Sequence, residues 1–316
     1  MRRLLLPLLL AALLPAPAFA TDGGRAGGKI AEEVEPDRWG GRPLDQAYGA
    51  FQRGLYVTAY NLALPRAENG DPAAQTLVAE ILSQGLGRPR DEKAAAEWYQ
   101  RAAEQGVPEA QFQYALLLLD GRFAPKDRKG AYALMQAAAE AGNRLAQFNF
   151  AQMVVDGEPG PTGLAKAVAY YQRAADAGLA DAQYAMAQVT AFGQGGRKRD
   201  EAEARDWLEK AARQNYDTAQ LDLGTWLVEG RGGGKDERAG FAWLLRAALG
   251  GNVAAQARVA KLFMAGIGTE PDTVEAAAWY FSARRAGLKD AALEDLLDGL
   301  TEEQQREALE RANRLR

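Results

Sequence analysis

The sequence predicts an all-α solenoid of repeated helical hairpins, and three observations carry that prediction. Alanine–glutamine pairs recur at Ala74-Gln75, Ala110-Gln111, Ala146-Gln147, Ala182-Gln183, Ala219-Gln220 and Ala255-Gln256, a spacing of 36 residues with a single step of 37. A fixed period of this size marks a stacked array in which each unit buries its apolar face only against its neighbours. Within the units, small and apolar residues fall four apart, as in Ala110, Tyr114 and Leu118 or Ala182, Met186 and Thr190, so they share one helical face. β-Branched residues never alternate over a sustained run, and strands are not expected.

Taken in order, Met1-Arg2-Arg3 is a positive n-region, Leu4 to Leu14 an apolar run interrupted by Pro7, and Ala18-Phe19-Ala20 a small-x-small cleavage site. Residues 1–20 therefore read as a signal peptide cut before Thr21, which places the protein in the periplasm or outside the cell. No later stretch approaches the ~20 apolar residues that cross a bilayer, and no membrane span is expected. Residues 21–43 combine glycines with Glu32, Glu33 and Glu35 and hold too little apolar surface to offset ordering entropy, so they read as a flexible linker. Residues 44–69 read as an opening hairpin, Leu44 to Arg53 and Tyr56 to Glu68, that caps the array.

Six full units occupy residues 70–287 and begin near Gly70, Gly106, Gly142, Gly178, Asn215 and Gly251. The first helix of each is expected to stop at Gly85, Gly121, Gly157, Gly193, Gly230 or Gly266, because helices often close in a left-handed conformation that a Cβ disfavours. Six or seven residues later Asp91, Asp127, Asp200, Asp236 or Asp272 is placed to cap the second helix; the third unit departs, with Thr162-Gly163. The second helix carries Trp98, Leu134-Met135, Tyr170, Trp207, Trp243 or Trp279, then an alanine pair such as Ala102-Ala103. That register is read as core, as is Trp226, which stands in line with Ile81 and Leu117 on the first helices. In residues 288–316, Lys289 to Leu297 looks like one more first helix, and Thr301-Glu302-Glu303-Gln304 like a capping box. The helix it opens is polar nearly all round and is expected to solubilise the end of the array. Its Arg311, Arg314 and Arg316 suit the negative end of the helix dipole.

The pattern AxAQ…G…kD…A…WY..AA..G at this spacing resembles the Sel1-like repeat family, a tetratricopeptide-like group, over residues 70–287. The resemblance implies a right-handed superhelix of antiparallel α/α hairpins whose members generally hold other proteins together, often at the bacterial envelope. Many exported members staple each hairpin with a disulfide. This chain has no cysteine, so its stability has to come from packing. Some exported relatives of similar size restrain the periplasmic domain of a sensor kinase. The resemblance therefore implies regulation of an envelope signalling or assembly partner.

Composition narrows the chemistry. The chain holds 38 Lys+Arg and 42 Asp+Glu; removing Arg2 and Arg3 with the leader leaves 36 against 42, a net of −6, which argues against non-specific nucleic-acid binding. There is no histidine and no cysteine, so the usual neutral-pH base, thiolate nucleophile and metal ligands are missing. No cofactor and no metal are expected. The only serines, Ser83 and Ser282, have neither a lysine three residues on nor a histidine to activate them. Gly230-Arg231-Gly232-Gly233-Gly234-Lys235-Asp236 lacks the spacing, the hydroxyl residue and the preceding strand of a phosphate loop. A non-catalytic scaffold is the first reading. The alternative is an envelope enzyme or binder acting on peptidoglycan, a β-lactam or an acidic polysaccharide.

Two surfaces are candidate binding sites. Positions of the first helices that do not follow the repeat pattern form a stripe of residues three apart: Gln113, Asn149, Gln152, Gln188, Asp222, Thr225, Arg258 and Lys261. Its amides and hydroxyl groups suit a protein or extended peptide partner in the envelope. The second surface is the loop rim of units four and five, where Arg197, Lys198, Arg199, Arg231 and Lys235 sit on glycine-rich loops expected to emerge on one edge. Such a rim could hold an anion, or its carboxylates could neutralise it into ordinary solvated surface.

Overall fold

Three local devices recur at fixed offsets along the chain: capped helix ends, a glutamine that ties one hairpin to the next, and a loop that folds back over the preceding unit. The computed structural model describes residues 45–315. The expected signal peptide (1–20) and linker (21–43), together with Leu44 and Arg316, lie outside the described residues. Among the described residues there are sixteen helices and no strand. The opening hairpin is α1 (Gln46–Gln52) and α2 (Tyr56–Glu68). The repeats pair α3 (Pro72–Gln84) with α4 (Glu92–Glu104), α5 (Pro108–Asp120) with α6 (Arg128–Glu140), α7 (Arg144–Gly157) with α8 (Pro161–Asp176), α9 (Ala180–Phe192) with α10 (Glu201–Arg213), α11 (Asp217–Glu229) with α12 (Glu237–Leu249), and α13 (Val253–Ala265) with α14 (Thr273–Arg285). α15 (Ala291–Asp298) and α16 (Glu302–Arg314) close the chain. From α1 to α14 each helix packs on the next, which makes a helical repeat solenoid.

The capping residues act as their spacing predicts. Asp91, Asp127, Asp200, Asp236 and Asp272 each accept a backbone N–H from the first turn of the second helix, filling amides that have no partner within the helix. The first helices of five repeats end on left-handed Gly85, Gly121, Gly193, Gly230 and Gly266. The turn into each new repeat is left-handed too. In repeat five that position is Asn215, at φ 66°, a residue type that tolerates the conformation better than most.

The repeated glutamine has a role that periodicity alone does not reveal. In all six repeats its side-chain amide donates to the carbonyl eight residues earlier: Gln75 to Ala67, Gln111 to Ala103, Gln147 to Ala139, Gln183 to Ala175, Gln220 to Ala212 and Gln256 to Ala248, at 3.0–3.4 Å. Those carbonyls belong to the last turn of the preceding second helix and also accept the backbone N–H of the turn residue three positions on, so the glutamine fills their second lone pair. Each bond contributes about 1 kcal/mol and sets one hairpin against the next. Gln305 repeats the device on Leu297 in the closing pair.

The core is a ladder of alanines, among them Ala102, Ala138, Ala174, Ala211, Ala247 and Ala283, each fully buried, which lets the helices approach closely. The tryptophan register corrects the expectation. Trp207 and Trp279 are buried, but Trp98, Leu134, Tyr170 and Trp243 are only half-buried. The deepest large side chain is the next residue along, Tyr99, Met135, Tyr171, Leu208, Leu244 or Tyr280. Cations three residues on, Arg101, Arg173, Lys210 and Arg246, lie over the rings of Trp98, Tyr170, Trp207 and Trp243 at 3.7–5.6 Å, so an amphipathic ring meets solvent under a charged lid. Trp226 is buried as expected, with the Arg231 guanidinium 3.9 Å from its ring.

Two further expectations change. Gly157 does not stop its helix: α7 runs through it to a cap at Glu158, and α8 starts at Pro161, so only residues 158–160 join them. Elsewhere the join is a full loop, such as residues 121–127 or 266–272. The tight turn depends on Gly163, where a Cβ would lie 1.8 Å from the Glu158 carbonyl oxygen. Nor is α16 merely a polar end. It has the expected Thr301–Gln304 capping box, but its Ala308 and Ala312 are fully buried, in a helix that packs on α14. Arg311 reaches Asp272 at 3.1 Å and Glu275 at 2.9 Å, so it clamps the start of α14.

Candidate partner-binding face

The first-helix stripe is a row of polar side chains of which some are free and others already joined. Gln113 and Gln152 are half-exposed on α5 and α7. Asn149 donates its amide to the Leu145 carbonyl one turn back at 2.8 Å, and Thr225 gives its hydroxyl to Leu221 at 2.8 Å, the usual behaviour of short polar side chains within a helix. Arg258 is exposed on α13, while Lys261 reaches across to Asp290, at the start of α15, at 2.5 Å. That contact holds the Asp290 carboxyl below its usual range, the Lys261 hydrogen bond being the main cause.

Between α9 and α11 the structure brings Gln188 and Asp222 together and adds a residue the stripe did not include. Tyr184 gives its hydroxyl to Asp222 Oδ2 at 3.0 Å, and Gln188 Nε2 donates to the same oxygen at 3.3 Å. Tyr216 lies against Tyr184 with ring centroids 5.1 Å apart. Burial pushes the Asp222 carboxyl above the normal carboxylate range, although the Tyr184 and Gln188 hydrogen bonds and the Arg231 charge act to lower it. Burial and Asp222 together raise the Tyr184 hydroxyl strongly, and burial lifts Tyr216 to about 12. Both phenols therefore stay protonated, and Tyr184 donates to Asp222. Tyr184 lies four residues before Gln188, and that spacing was the signal available in the sequence.

The basic loops of repeats four and five do converge. Glu201 accepts from Arg199 at 2.5 Å and from Arg231 at 3.0 Å, one cation from each loop, and its carboxyl is lowered first by the Arg199 hydrogen bond and then by Arg231. Arg197 pairs with Glu203 at 2.7 Å and also donates to Gln172 Oε1 at 2.9 Å; Lys235 pairs with Glu237 at 2.6 Å. Of the five, Lys198 alone lacks an ion pair among the described residues. Asp200 and Asp236 serve as helix caps, and the neutralising carboxylates are Glu201, Glu203 and Glu237. Among the described residues no helix is long and apolar enough to cross a membrane.

With this geometry in hand, comparison places the chain among known folds. A family model described as Sel1 repeat matches residues 72–107, 108–143, 144–179, 180–216, 218–252 and 253–288. A Sel1 repeat protein from Oxalobacter formigenes is similar at 24% identity and TM-score 0.64, over 77% of this chain and 97% of that one. The protein c5321, a protective antigen present in uropathogenic Escherichia coli strains and displaying an SLR fold, is similar at 24% identity and TM-score 0.57, over 86% of this chain and 68% of its own. At these identities the likeness concerns the fold. No curated protein sequence matches the chain.

Proposed function

The chain belongs to the Sel1 repeat family, whose repeats generally serve as protein–protein interaction scaffolds, and from that premise we propose that it is a non-catalytic scaffold of the bacterial envelope. It holds a partner polypeptide on the stripe of its first helices and so regulates or assembles that partner. The carrying observation is the polar row itself. Gln113 and Gln152 keep donors and acceptors for a partner backbone, and Tyr184, Gln188 and Asp222 are already locked by one another, so little side-chain freedom is lost on binding. The leader-like residues 1–20 support export. The absence of histidine and cysteine from the sequence supports binding rather than acid–base or thiolate chemistry.

The test replaces Asn149, Gln152 and Gln188 together with alanine. Capture and crosslinking of a partner from an envelope extract should fall at least tenfold while helical circular dichroism is unchanged. Undiminished capture would remove the stripe as the interface. A reporter fused after residue 43 should be active only outside the cytoplasm, and cytoplasmic activity would overturn the assigned compartment.

A further inference from the structure

In repeats one, four, five and six the loop does more than join two helices: it folds over the first turns of the second helix before it. Arg88 lies over the Tyr60 ring at 3.6 Å. A Cβ at Gly195 would meet Val168 at 2.5 Å, at Gly232 it would meet Glu201 and Arg205, and at Gly268 it would meet Glu237 and Phe241. Tyr60, Val168, Arg205 and Phe241 occupy one register position, and Tyr132 on α6 holds the same position. Repeat three, which should cover Tyr132, has no such loop, because its residues have been drawn into the ends of α7 and α8.

What remains is a groove of about 560 Å³ between α6, α7 and α8. Tyr132 stands 40% exposed at its mouth. Its ring meets Phe150 edge to face at 5.0 Å, and Phe150 meets Tyr170 at 4.8 Å, so three aromatics line one wall. Glu140 accepts the Tyr170 hydroxyl, and Arg173 pairs with Glu140 at 2.9 Å, which fixes the ring. The carboxylate lining the groove, Glu158, is neutralised by Lys166 at 2.6 Å. Arg128 and Lys129, four and three residues before Tyr132 and so on its helical face, are exposed and have no ion pair among the described residues. The groove is aromatic inside, and two unpaired cations precede its exposed Tyr132 on the same helical face, on a chain of net charge −4.

We propose that this groove is the docking site for an acidic turn of a partner protein that carries one aliphatic side chain beside a glycine. The inference rests on the scaffold reading and adds to the stripe a second contact site, whose lining contains no stripe residue. Two observations choose the occupant: the unpaired cations on the Tyr132 face of α6 select negative charge, and two of the chain's four covering loops, those of repeats six and one, lay an aliphatic residue beside a glycine on this helix face. The loop of repeat six puts half-buried Ile267 beside left-handed Gly268 and carries Glu270 and Asp272, and the loop of repeat one has Leu86 beside left-handed Gly87. A partner turn thus supplies in trans what repeat three lacks in cis.

The probe is a fluorescent synthetic peptide with the sequence of residues 265–272, titrated with the full chain and followed by anisotropy. Saturable binding is expected. It should weaken at least tenfold for Tyr132→Ala and for the surface pair Arg128→Gln with Lys129→Gln, and it should weaken with added salt. A peptide with serine at the isoleucine position should bind at least tenfold more weakly. Exchanging residues 157–163 for the equally long sequence of residues 266–272 should rebuild the covering loop and abolish binding. Failure of the wild-type chain to bind, or equal binding by the Gln pair, overturns the proposal even where Tyr132→Ala does not fold. Dimerisation in sedimentation that Tyr132→Ala removes would make the occupant a second copy and likewise overturn it. Partner capture lost in the stripe variant but retained in the groove variants refutes the groove alone, whereas capture indifferent to both refutes the scaffold reading.

Discussion

In two repeats the buried glutamine is satisfied twice. Gln105 Nε2 donates to Gln75 Oε1 and Gln214 Nε2 to Gln183 Oε1, each at 2.8 Å, from the position just past the end of the next second helix. Repeat three has Ala177 there, and Gln147 Oε1 is buried without a partner. The backbone is already suited to a glutamine: Ala177 has φ −75° and ψ 5°, against φ −87° and ψ 3° at Gln105. Ala177→Gln should therefore complete the pair. A buried carbonyl left unpaired costs about 1–3 kcal/mol. Ordering a glutamine side chain costs up to about 1.5–2 kcal/mol, less where it remains half-exposed. The net gain expected is about 0.5–1 kcal/mol, which with a urea m-value of about 3 kcal/mol/M moves the midpoint up by about 0.2–0.3 M. Because repeat arrays do not always unfold in one step, circular dichroism and tryptophan fluorescence should be required to coincide. Ala177→Met supplies the length without the donor. Equal midpoints for the Gln and Met variants, or a gain that survives in a Gln147→Ala background, would refute the hydrogen-bond argument.

Two other perturbations follow from buried polar groups. Thr190 is fully buried with its hydroxyl unpartnered, at a position held by Leu82, Leu118, Val154 and Leu227 in other repeats, so Thr190→Val should raise the urea midpoint by about 1 kcal/mol equivalent; a lower midpoint would show that the hydroxyl has a partner in solution. Asp222, whose folded pKa is raised mainly by burial, contributes stability that is fully present below the unfolded carboxylate range and is lost as pH rises through the folded value. Asp222→Asn has no proton to lose and should unfold at higher urea than the parent at pH 7, with the gap closing near pH 4. A gap that does not change with pH would refute the assignment.

The array was legible in the sequence because its devices are local. A carboxylate at Asp91 or Asp272 meets amides two or three residues away, and a left-handed glycine at Gly85 closes a helix within one turn, so spacing alone carries the information. Which residues share one face of a helix was legible for the same reason, since residues three and four apart lie together. Relations between helices were not. That Gln147 ties two hairpins, that Tyr171 rather than Tyr170 is the deeper of its pair, and that Tyr184 meets Asp222 depend on how one helix is rotated against another. Repeat three shows the limit best. Residues 157–163 equal 266–272 in number, so the 36-residue spacing passes through them undisturbed. Only the missing aspartate hinted at a difference. Whether seven residues form a loop over Tyr132 or extend two helices is decided by the competition between helical hydrogen bonds gained within the segment and packing lost against its neighbour. The second term exists only once the neighbour is in place. Tertiary structure alone therefore decided that this repeat leaves its aromatic wall uncovered.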